Sequence, residues 1–165
     1  MDVLNLSPRD VTPDDYLDVS VLLATAFDGP DEARLVEQLR KDGDIGLELV
    51  CEDQDGIFGY ICFARMVSPF GFWSLSPVAI KRAYQGQGIG DQLIRRGLDG
   101  MRRAGASGVV VLGDPDFYTR FGFSKAAAAG LDSPYSRAHT MVYPIAKGAN
   151  EVTGRLVYPP AFSVL

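Results

Sequence analysis

The chain has 165 residues, 47% of them apolar, and a formal net charge of −5 at pH 7. This length and composition predict one domain with a substantial core. The acidic balance argues against nonspecific nucleic-acid binding, which needs a basic face, and mildly favours a cationic ligand such as an amine. No apolar run approaches the ~20 residues of a membrane span, and the N-terminus lacks the plan of a signal peptide, so a cytoplasmic protein without a membrane partner is expected.

Residues that bind metals or form disulfides are few. Cys51 and Cys62 lie eleven residues apart with no secretory context, so reduced, partly buried thiols are expected rather than a disulfide. The single histidine, His139, has no carboxylate or thiol cluster near it at ligand spacing. The sequence therefore predicts no metal site.

Helical and strand patterns alternate along the chain. In chain order the predicted elements are a strand before residue 5, helices to about Phe27 and from Asp31 to about Lys41, strands Leu47–Cys51, Ile57–Val67 and Phe72–Ile80, an amphipathic helix from Ile89, a strand Gly108–Leu112, a short helix after Asp114, and strands Met141–Ala146 and Leu156–Tyr158. This order is typical of a mixed α/β layer.

Pro77 stands inside the predicted strand Phe72–Ile80. Proline cannot donate a hydrogen bond to a neighbouring strand, so a bulge, a bend or an unpaired side is expected at this point. Backbone groups of this strand are then left free for another partner.

The segment Tyr84-Gln85-Gly86-Gln87-Gly88-Ile89-Gly90 joins this strand to the amphipathic helix. The first amides of a helix have no intrahelical acceptor, and the peptide dipoles leave a partial positive charge there. Glycines permit unusual backbone dihedrals and the close approach of a ligand. The loop is therefore predicted to hold phosphate.

Two widespread nucleotide loops do not match this segment. The dinucleotide fingerprint needs a third glycine where this chain has Asp91. The mononucleotide loop needs Gly-Lys followed by Ser or Thr, and Gly90 is followed by Asp91 and Gln92. Neither type of nucleotide site is expected.

The segment from Gln85 to Gly90 resembles the acyl-coenzyme A loop of the GNAT acetyltransferases, which reads Gln or Arg, two residues, Gly, one residue, then Gly or Ala. A second motif, Tyr118 followed after three residues by Gly122-Phe123, is similar to the fourth-helix signature of that family. The sequence around it and the C-terminal segment Tyr158–Phe162 resemble the YhbS-like bacterial subgroup. The resemblance covers nearly the whole chain.

This resemblance implies the GNAT acyl-CoA N-acyltransferase fold, an α/β (α+β) architecture with a mixed central sheet flanked by helices, in a single domain over residues 1–165. It also implies an N-acetyltransferase that uses acetyl-CoA (coenzyme A) as co-substrate, without a metal. An amine of a small molecule or protein would attack the thioester directly. The alternative function is a non-catalytic acyl-CoA-binding sensor. The resemblance is also compatible with a homodimer.

Site residues follow from the same resemblance. Tyr118 matches the tyrosine that points at the thioester sulfur, so it is the predicted general acid; the alternative is a half-buried aromatic with a satisfied hydroxyl. Backbone amides of residues 86–91 would face the pyrophosphate, and the pantetheine arm would bond to the strand before the loop. The predicted cofactor-binding residues are Val78, Ile80, Gln85, Gly86, Gln87, Gly88, Ile89, Gly90 and Asp91.

Asp114 and Asp116 precede Tyr118 and could be mistaken for a catalytic carboxylate pair. They are more simply an N-cap and a first-turn acid on either side of Pro115.

The general base stays unassigned. The family often supplies a glutamate from the fourth strand, where this chain has Ser74 and Ser76. Asp28, Glu32 and Glu48 are candidates, although each is more simply a solvated charge. The acceptor also stays open among an antibiotic, a polyamine, an amino acid and a protein N-terminus. Its pocket is expected around residues 27–30, 68–72 and 131–143.

Overall fold

A mixed six-stranded sheet lies at the centre of the protein, in a computed structural model that describes residues 7–164. The strands are β1 Arg9–Asp10, β2 Ile45–Asp53, β3 Gly56–Arg65, β4 Phe72–Ile80, β5 Gly108–Leu112, β6 Leu131–Asp132, β7 Thr140–Pro144 and β8 Gly154–Arg155. The α-helices are α1 Tyr16–Ala26, α2 Asp31–Asp42, α3 Ile89–Arg103 and α4 Pro115–Tyr118. The predicted strand before residue 5 lies outside the described residues.

The strand order in the sheet is β1-β2-β3-β4-β5-β7. Neighbouring strands are antiparallel except β4 and β5, which run parallel. Parallel neighbours need a crossover connection, and α3 supplies it. The predicted bounds of β4 and β5 are confirmed, and the mixed α/β architecture is the predicted one.

One predicted strand, Leu156–Tyr158, is wrong. The strand in this region is β8, which pairs in parallel with β6 as a separate two-stranded sheet. The amide of Leu156 donates to Asp132, whereas that of Val157 donates to Ser68. Because the chain changes partner between these two residues, no continuous ladder forms over the predicted range.

Helix α3 packs one apolar face against the sheet. The buried residues of that face are Ile89, Leu93, Ile94, Gly97, Leu98 and Met101. Gly97 is in direct contact with β3, because a Cβ added there would overlap the ring of Phe63. Close packing at this point fixes the helix on the sheet, with its N-terminus at the end of β4.

Helices α1 and α2 cover the opposite face of the sheet. Cys62 lies in the core cluster on this face, whereas Cys51 lies in the cluster under α3. Both thiols are free and buried. Burial raises the pKa of Cys51 to about 11 and that of Cys62 to about 12. The thiols are more deeply buried than the sequence predicted, and at neutral pH both are protonated and therefore poor nucleophiles.

Asp15 connects β1 to the turn that precedes α1. Its carboxylate accepts from the Arg9 guanidinium at 2.7 and 2.9 Å and from the Thr12 amide at 2.8 Å. Arg9 also donates to Glu52 of β2 at 2.7 Å. The hydrogen bonds from Arg9 hold the pKa of Asp15 well below its usual range and lower that of Glu52. A carboxylate whose pKa is depressed by folding adds stability above its unfolded pKa and loses it as the pH falls.

We expect the free energy of unfolding to decline as the pH is lowered below about 4, the ordinary pKa of these carboxylates. Asp15→Asn should lower stability by about 1 kcal/mol at pH 7, a modest value because Arg9 is partly exposed, and by much less at pH 2. Urea denaturation at several pH values measures this. Asp132→Asn, which changes an exposed acid of β6, is the control. An unchanged pH dependence in Asp15→Asn would contradict the assignment.

Candidate functional site

Strands β4 and β5 are paired over only three residues. The paired residues of β4 are Phe72, Trp73 and Ser74. From Leu75 to Ile80, β4 has no ladder partner on its β5 side among residues 7–164. The two strands therefore enclose a gap, which begins at Leu75, two residues before Pro77.

The backbone of β4 presents free groups to this gap. The β3–β4 register shifts between Ile61 and Phe63, opposite the part of β4 that contains Pro77. This is the irregularity predicted from the proline. The amide of Lys81 donates to Phe58 of β3 at 2.8 Å. Since successive amides of a strand point to opposite edges, those of Val78 and Ile80 face the gap.

The loop after β4 contains a row of free amides at the start of α3. Gly86 and Gly88 have φ values of +80° and +79°, and Gly88 is the N-cap of α3. The side-chain amide of Gln85 donates to the Ile80 carbonyl at 3.0 Å and closes the turn. No backbone amide from Gly86 to Asp91 donates to a protein acceptor within residues 7–164. These amides lie at the positive end of a helix of 15 residues, an arrangement that favours the binding of an anion.

A cavity of about 420 Å³, here called the loop-side cavity, lies between this loop and the gap. It is lined by every predicted cofactor-binding residue except Gln87, which is exposed. It is also lined by Tyr84, Ile94 and Phe117, which the sequence prediction missed. Each of these three lies in or next to a segment that the sequence analysis identified. Tyr84 precedes the loop, Ile94 belongs to the apolar stripe of α3, and Phe117 precedes Tyr118.

Tyr84 anchors the first end of the loop. Its ring stacks on Phe58 with centroids 4.4 Å apart, and its hydroxyl donates to the Asp53 carboxylate. The hydrogen bond to Asp53 raises the pKa of Tyr84 to about 12. The loop is thus tied to the turn between β2 and β3.

The carboxylate of Asp91 is neutralised beside the free amides. Arg120 donates to both of its oxygens at 3.1 Å. The guanidinium of Arg120 also lies 4.7 Å from the centre of the Phe117 ring. An unpaired carboxylate would repel a phosphate at this place, so the pairing leaves the Asp91 amide able to bind one.

Helix α4 positions Tyr118. The carboxylate of Asp114 accepts from the Asp116 amide at 3.0 Å, and Pro115 is the first helical residue, so the predicted capping is found. The Tyr118 ring packs edge-on against Phe117, with centroids 4.9 Å apart. Burial raises its pKa above the ordinary value of about 10. Tyr118 does not line the loop-side cavity, although Phe117, its neighbour in the chain, does.

Gly113 makes room for that tyrosine. A Cβ at this position would lie 2.5 Å from Cε2 of Tyr118. The sequence prediction missed this glycine, because the contact depends on the path of α4 rather than on a motif.

The predicted bases are either bonded to other groups or outside the lining of the loop-side cavity. Glu48 accepts from Arg40 and from the Tyr60 hydroxyl, each at 2.8 Å, which makes it part of a partly buried network. Asp28 and Glu32 do not line the loop-side cavity.

Within residues 7–164, no group of three or more His, Cys, Asp or Glu side chains could hold a metal ion. No helix in the same range is long and apolar enough to cross a membrane. The side chain of His139 is within hydrogen-bond distance of the Ser136 hydroxyl, at 2.9 Å.

The sequence is similar to known acetyltransferases. Residues 45–125, from β2 to just beyond α4, match the family model of the acetyltransferase (GNAT) domain. The chain is 36% identical over 158 residues to the uncharacterized N-acetyltransferase YhbS of Escherichia coli K12, covering 92% of this chain and 95% of that protein. It is 35% identical over 130 residues to the uncharacterized N-acetyltransferase YjhQ of the same strain, covering 73% and 71%.

Two solved structures are similar to this chain in both architecture and sequence. The crystal structure of YhbS from Escherichia coli in complex with CoA superimposes with a TM-score of 0.90 and 34% identity, over 99% of this chain and 94% of that one. A GNAT family acetyltransferase from Brucella melitensis in complex with acetyl-CoA gives a TM-score of 0.82 and 30% identity, over 96% and 98%. The resemblance predicted from the two sequence motifs is confirmed.

Proposed function

The chain belongs to the GNAT superfamily as an acetyl-CoA-dependent N-acetyltransferase, and from this premise we propose that it transfers acetyl directly to a primary amine, with Tyr118 as general acid. We also propose that residues 1–165 form one acetyltransferase domain. The observation that carries the proposal is the row of free amides from Gly86 to Asp91, placed at the open end of the gap between β4 and β5. A pyrophosphate and an extended arm need such a combination.

The loop would hold the pyrophosphate by its backbone. Free amides at a helix N-terminus bind phosphate oxygens without a cationic side chain. The pantetheine arm would then run along β4 as an added strand, bonded to backbone groups of Val78 and Ile80 that face the gap. In this mode of binding, glycine content and strand geometry would matter more than side-chain identity.

The proposed chemistry forms a C–N bond and breaks a C–S bond. The amine attacks the thioester carbonyl carbon, the sulfur leaves with the electron pair, and the Tyr118 phenol donates its proton toward it. The high pKa of Tyr118 supports this role, because the phenol is fully protonated at neutral pH.

A second candidate function is an acyl-CoA sensor without turnover. It is favoured by one observation: β4 has Ser74 and Ser76 where the family often has an acid. The Ser74 hydroxyl is buried and donates to the Ala64 carbonyl at 3.4 Å, so it is no substitute base.

Two measurements test the proposed function. Acetyl-CoA at ~100 times its dissociation constant should stabilise the folded protein by about 2.7 kcal/mol, a shift of several degrees in Tm. ADP, which lacks the pantetheine arm, should give a smaller shift. A thiol-release assay over a panel of amines should then detect free CoA. No shift with acetyl-CoA would contradict the cofactor site, and a shift without thiol release would favour the sensor.

A further inference from the structure

A second cavity, here called the aromatic cavity, opens on the gap between β4 and β5. It has a volume of about 270 Å³. Strand β4 lines it with Ser74, Leu75 and Ser76, and β5 lines it with Val110 and Leu112. Three rings from the C-terminal third of the chain complete the lining: Tyr135, Tyr158 and Phe162.

The aromatic cavity lies on the opposite face of the sheet from α3. Val110 borders it, whereas Val109 and Val111, the adjacent residues of β5, pack in the cluster under α3. Successive side chains of a strand point to opposite faces, which separates the two environments.

The two cavities border the same strand on either side of Pro77. The loop-side cavity meets β4 at Val78 and Ile80, and the aromatic cavity meets it at Ser74 and Ser76. An arm that follows β4 from the loop past Val78 is therefore directed towards the aromatic cavity. A thioester carbonyl there would be open to attack from the second cavity.

The lining of the aromatic cavity contains no ionised side chain. None of its lining residues within 7–164 is an Asp, Glu, Lys, Arg or His. Burying an unpaired charge is strongly unfavourable, so a ligand must enter without one. The same lining offers no carboxylate to take a proton from an ammonium group, so the amine must bind as the free base.

Tyr158 carries an unused polar group in this lining. Its hydroxyl is buried and has no hydrogen-bond partner within the described residues. Leaving such a group unpaired costs about 1–3 kcal/mol. A shift of the ring that exposes the hydroxyl to the cavity would let a ligand with a polar group remove this penalty. Burial raises the pKa of Tyr158, so the group is a neutral phenol that can donate or accept.

The size and shape of the aromatic cavity favour a ring. The centroids of Tyr135 and Tyr158 lie 5.1 Å apart, and those of Tyr158 and Phe162 lie 5.0 Å apart, both in inclined arrangements. Apolar cavities of roughly 150 Å³ are large enough for benzene. The aromatic cavity therefore accommodates one ring with a short side chain, but not a folded peptide or an oligosaccharide.

We propose that the aromatic cavity is the acceptor site, and that the acceptor is a compact aromatic amine without a second charge, which pairs with the Tyr158 hydroxyl. This inference rests on the proposed acetyl transfer. The free amine forms the amide bond, the C–S bond breaks, the sulfur takes the proton of Tyr118, and the proton lost from nitrogen returns through water to the Tyr118 phenolate. No further reactant is needed.

Competition between amine classes tests the inference. With acetyl-CoA saturating, kcat/KM from thiol release is compared for 2-phenylethylamine, spermidine and glycine. We expect 2-phenylethylamine to be preferred by at least tenfold. Preference for spermidine or glycine would overturn the acceptor class and leave the transferase function standing. Absence of thiol release with every amine, in a protein that acetyl-CoA stabilises, would instead overturn the proposed function.

The pH profile tests binding of the free base. Between pH 7 and 9, kcat/KM for 2-phenylethylamine should rise about tenfold per unit, because only the unprotonated fraction reacts. For 4-aminophenol, whose aromatic amine is already unprotonated at pH 7, kcat/KM should stay nearly constant over the same range. A flat profile for 2-phenylethylamine would mean that the ammonium form binds, which contradicts the inference.

Tyr158→Phe tests the specific contact. It should raise KM for 2-phenylethylamine roughly tenfold, the value of one hydrogen bond, without lowering Tm or the affinity for acetyl-CoA. Tyr143→Phe is the control, because the Tyr143 hydroxyl contacts Arg102 on the α3 face. Unchanged KM in Tyr158→Phe would remove the hydroxyl from the acceptor site.

Discussion

Replacing Tyr118 by phenylalanine is expected to lower kcat by roughly 100-fold or more while the affinity for acetyl-CoA stays unchanged. The substitution keeps the ring, which packs against Phe117 and fills the space left by Gly113, and removes only the proposed proton donor. Steady-state thiol release gives kcat, and a thermal shift with acetyl-CoA shows whether the cofactor still binds. Tyr143→Phe again serves as the matched control. Wild-type turnover in Tyr118→Phe would eliminate Tyr118 as the acid.

The assignment of Tyr118 as general acid also predicts how the rate depends on pH in the alkaline range. A general acid works in its protonated form, so its contribution is present below its pKa and is lost above it. Because burial raises the pKa of Tyr118 above about 10, the wild-type rate should not decline between pH 7 and 9.5. A fall in kcat within that range, absent from Tyr118→Phe, would contradict a buried phenol with a raised pKa.

The second large effect is expected from Gly88→Ala. Gly88 is an N-cap with a φ of +79° and lines the loop-side cavity, whereas Gly148 is an N-cap with a φ of +85° and lines neither cavity. A Cβ meets no atom within 4 Å at either position, so both substitutions introduce backbone strain alone. Each should lower the free energy of unfolding by about 1–2 kcal/mol.

Only Gly88→Ala should also weaken acetyl-CoA binding, by roughly tenfold or more, because relief of the strain moves the free amides out of position. Isothermal titration with acetyl-CoA measures the affinity, and chemical denaturation measures the stability of both variants. Equal affinities in Gly88→Ala and Gly148→Ala would show that the loop conformation does not matter for the cofactor.

Local patterns in the sequence were sufficient to predict the elements that supply the backbone groups of the candidate site. The apolar run of β4, the β-branched run of β5 and the stripe of α3 each have a clear period, and glycines mark the turn between them. The cap at Asp114 follows from residue types that adjoin one another. In each case the physical cause lies within a few residues of its effect.

Contacts between distant segments could not be predicted in this way. The ion pair of Asp91 with Arg120 joins residues 29 positions apart, and the wall of Tyr135, Tyr158 and Phe162 forms only when the C-terminal third returns to β4. The chain near Leu156 has the composition of a strand, yet its amides pair with two different segments. Such pairings depend on the path of the whole chain.

The short pairing of β4 with β5 divides the sheet into two parts that few backbone hydrogen bonds join. β1 to β4 form a continuous antiparallel unit, and β5 with β7 forms another, joined to the first by three ladder pairs and by α3. Elements joined by few backbone bonds open locally at lower free energy than the rest of a domain. In the proposed binding mode, the pantetheine arm supplies backbone-like bonds along this seam. The co-substrate then acts as a temporary strand that couples the two parts of the enzyme, and release of CoA uncouples them.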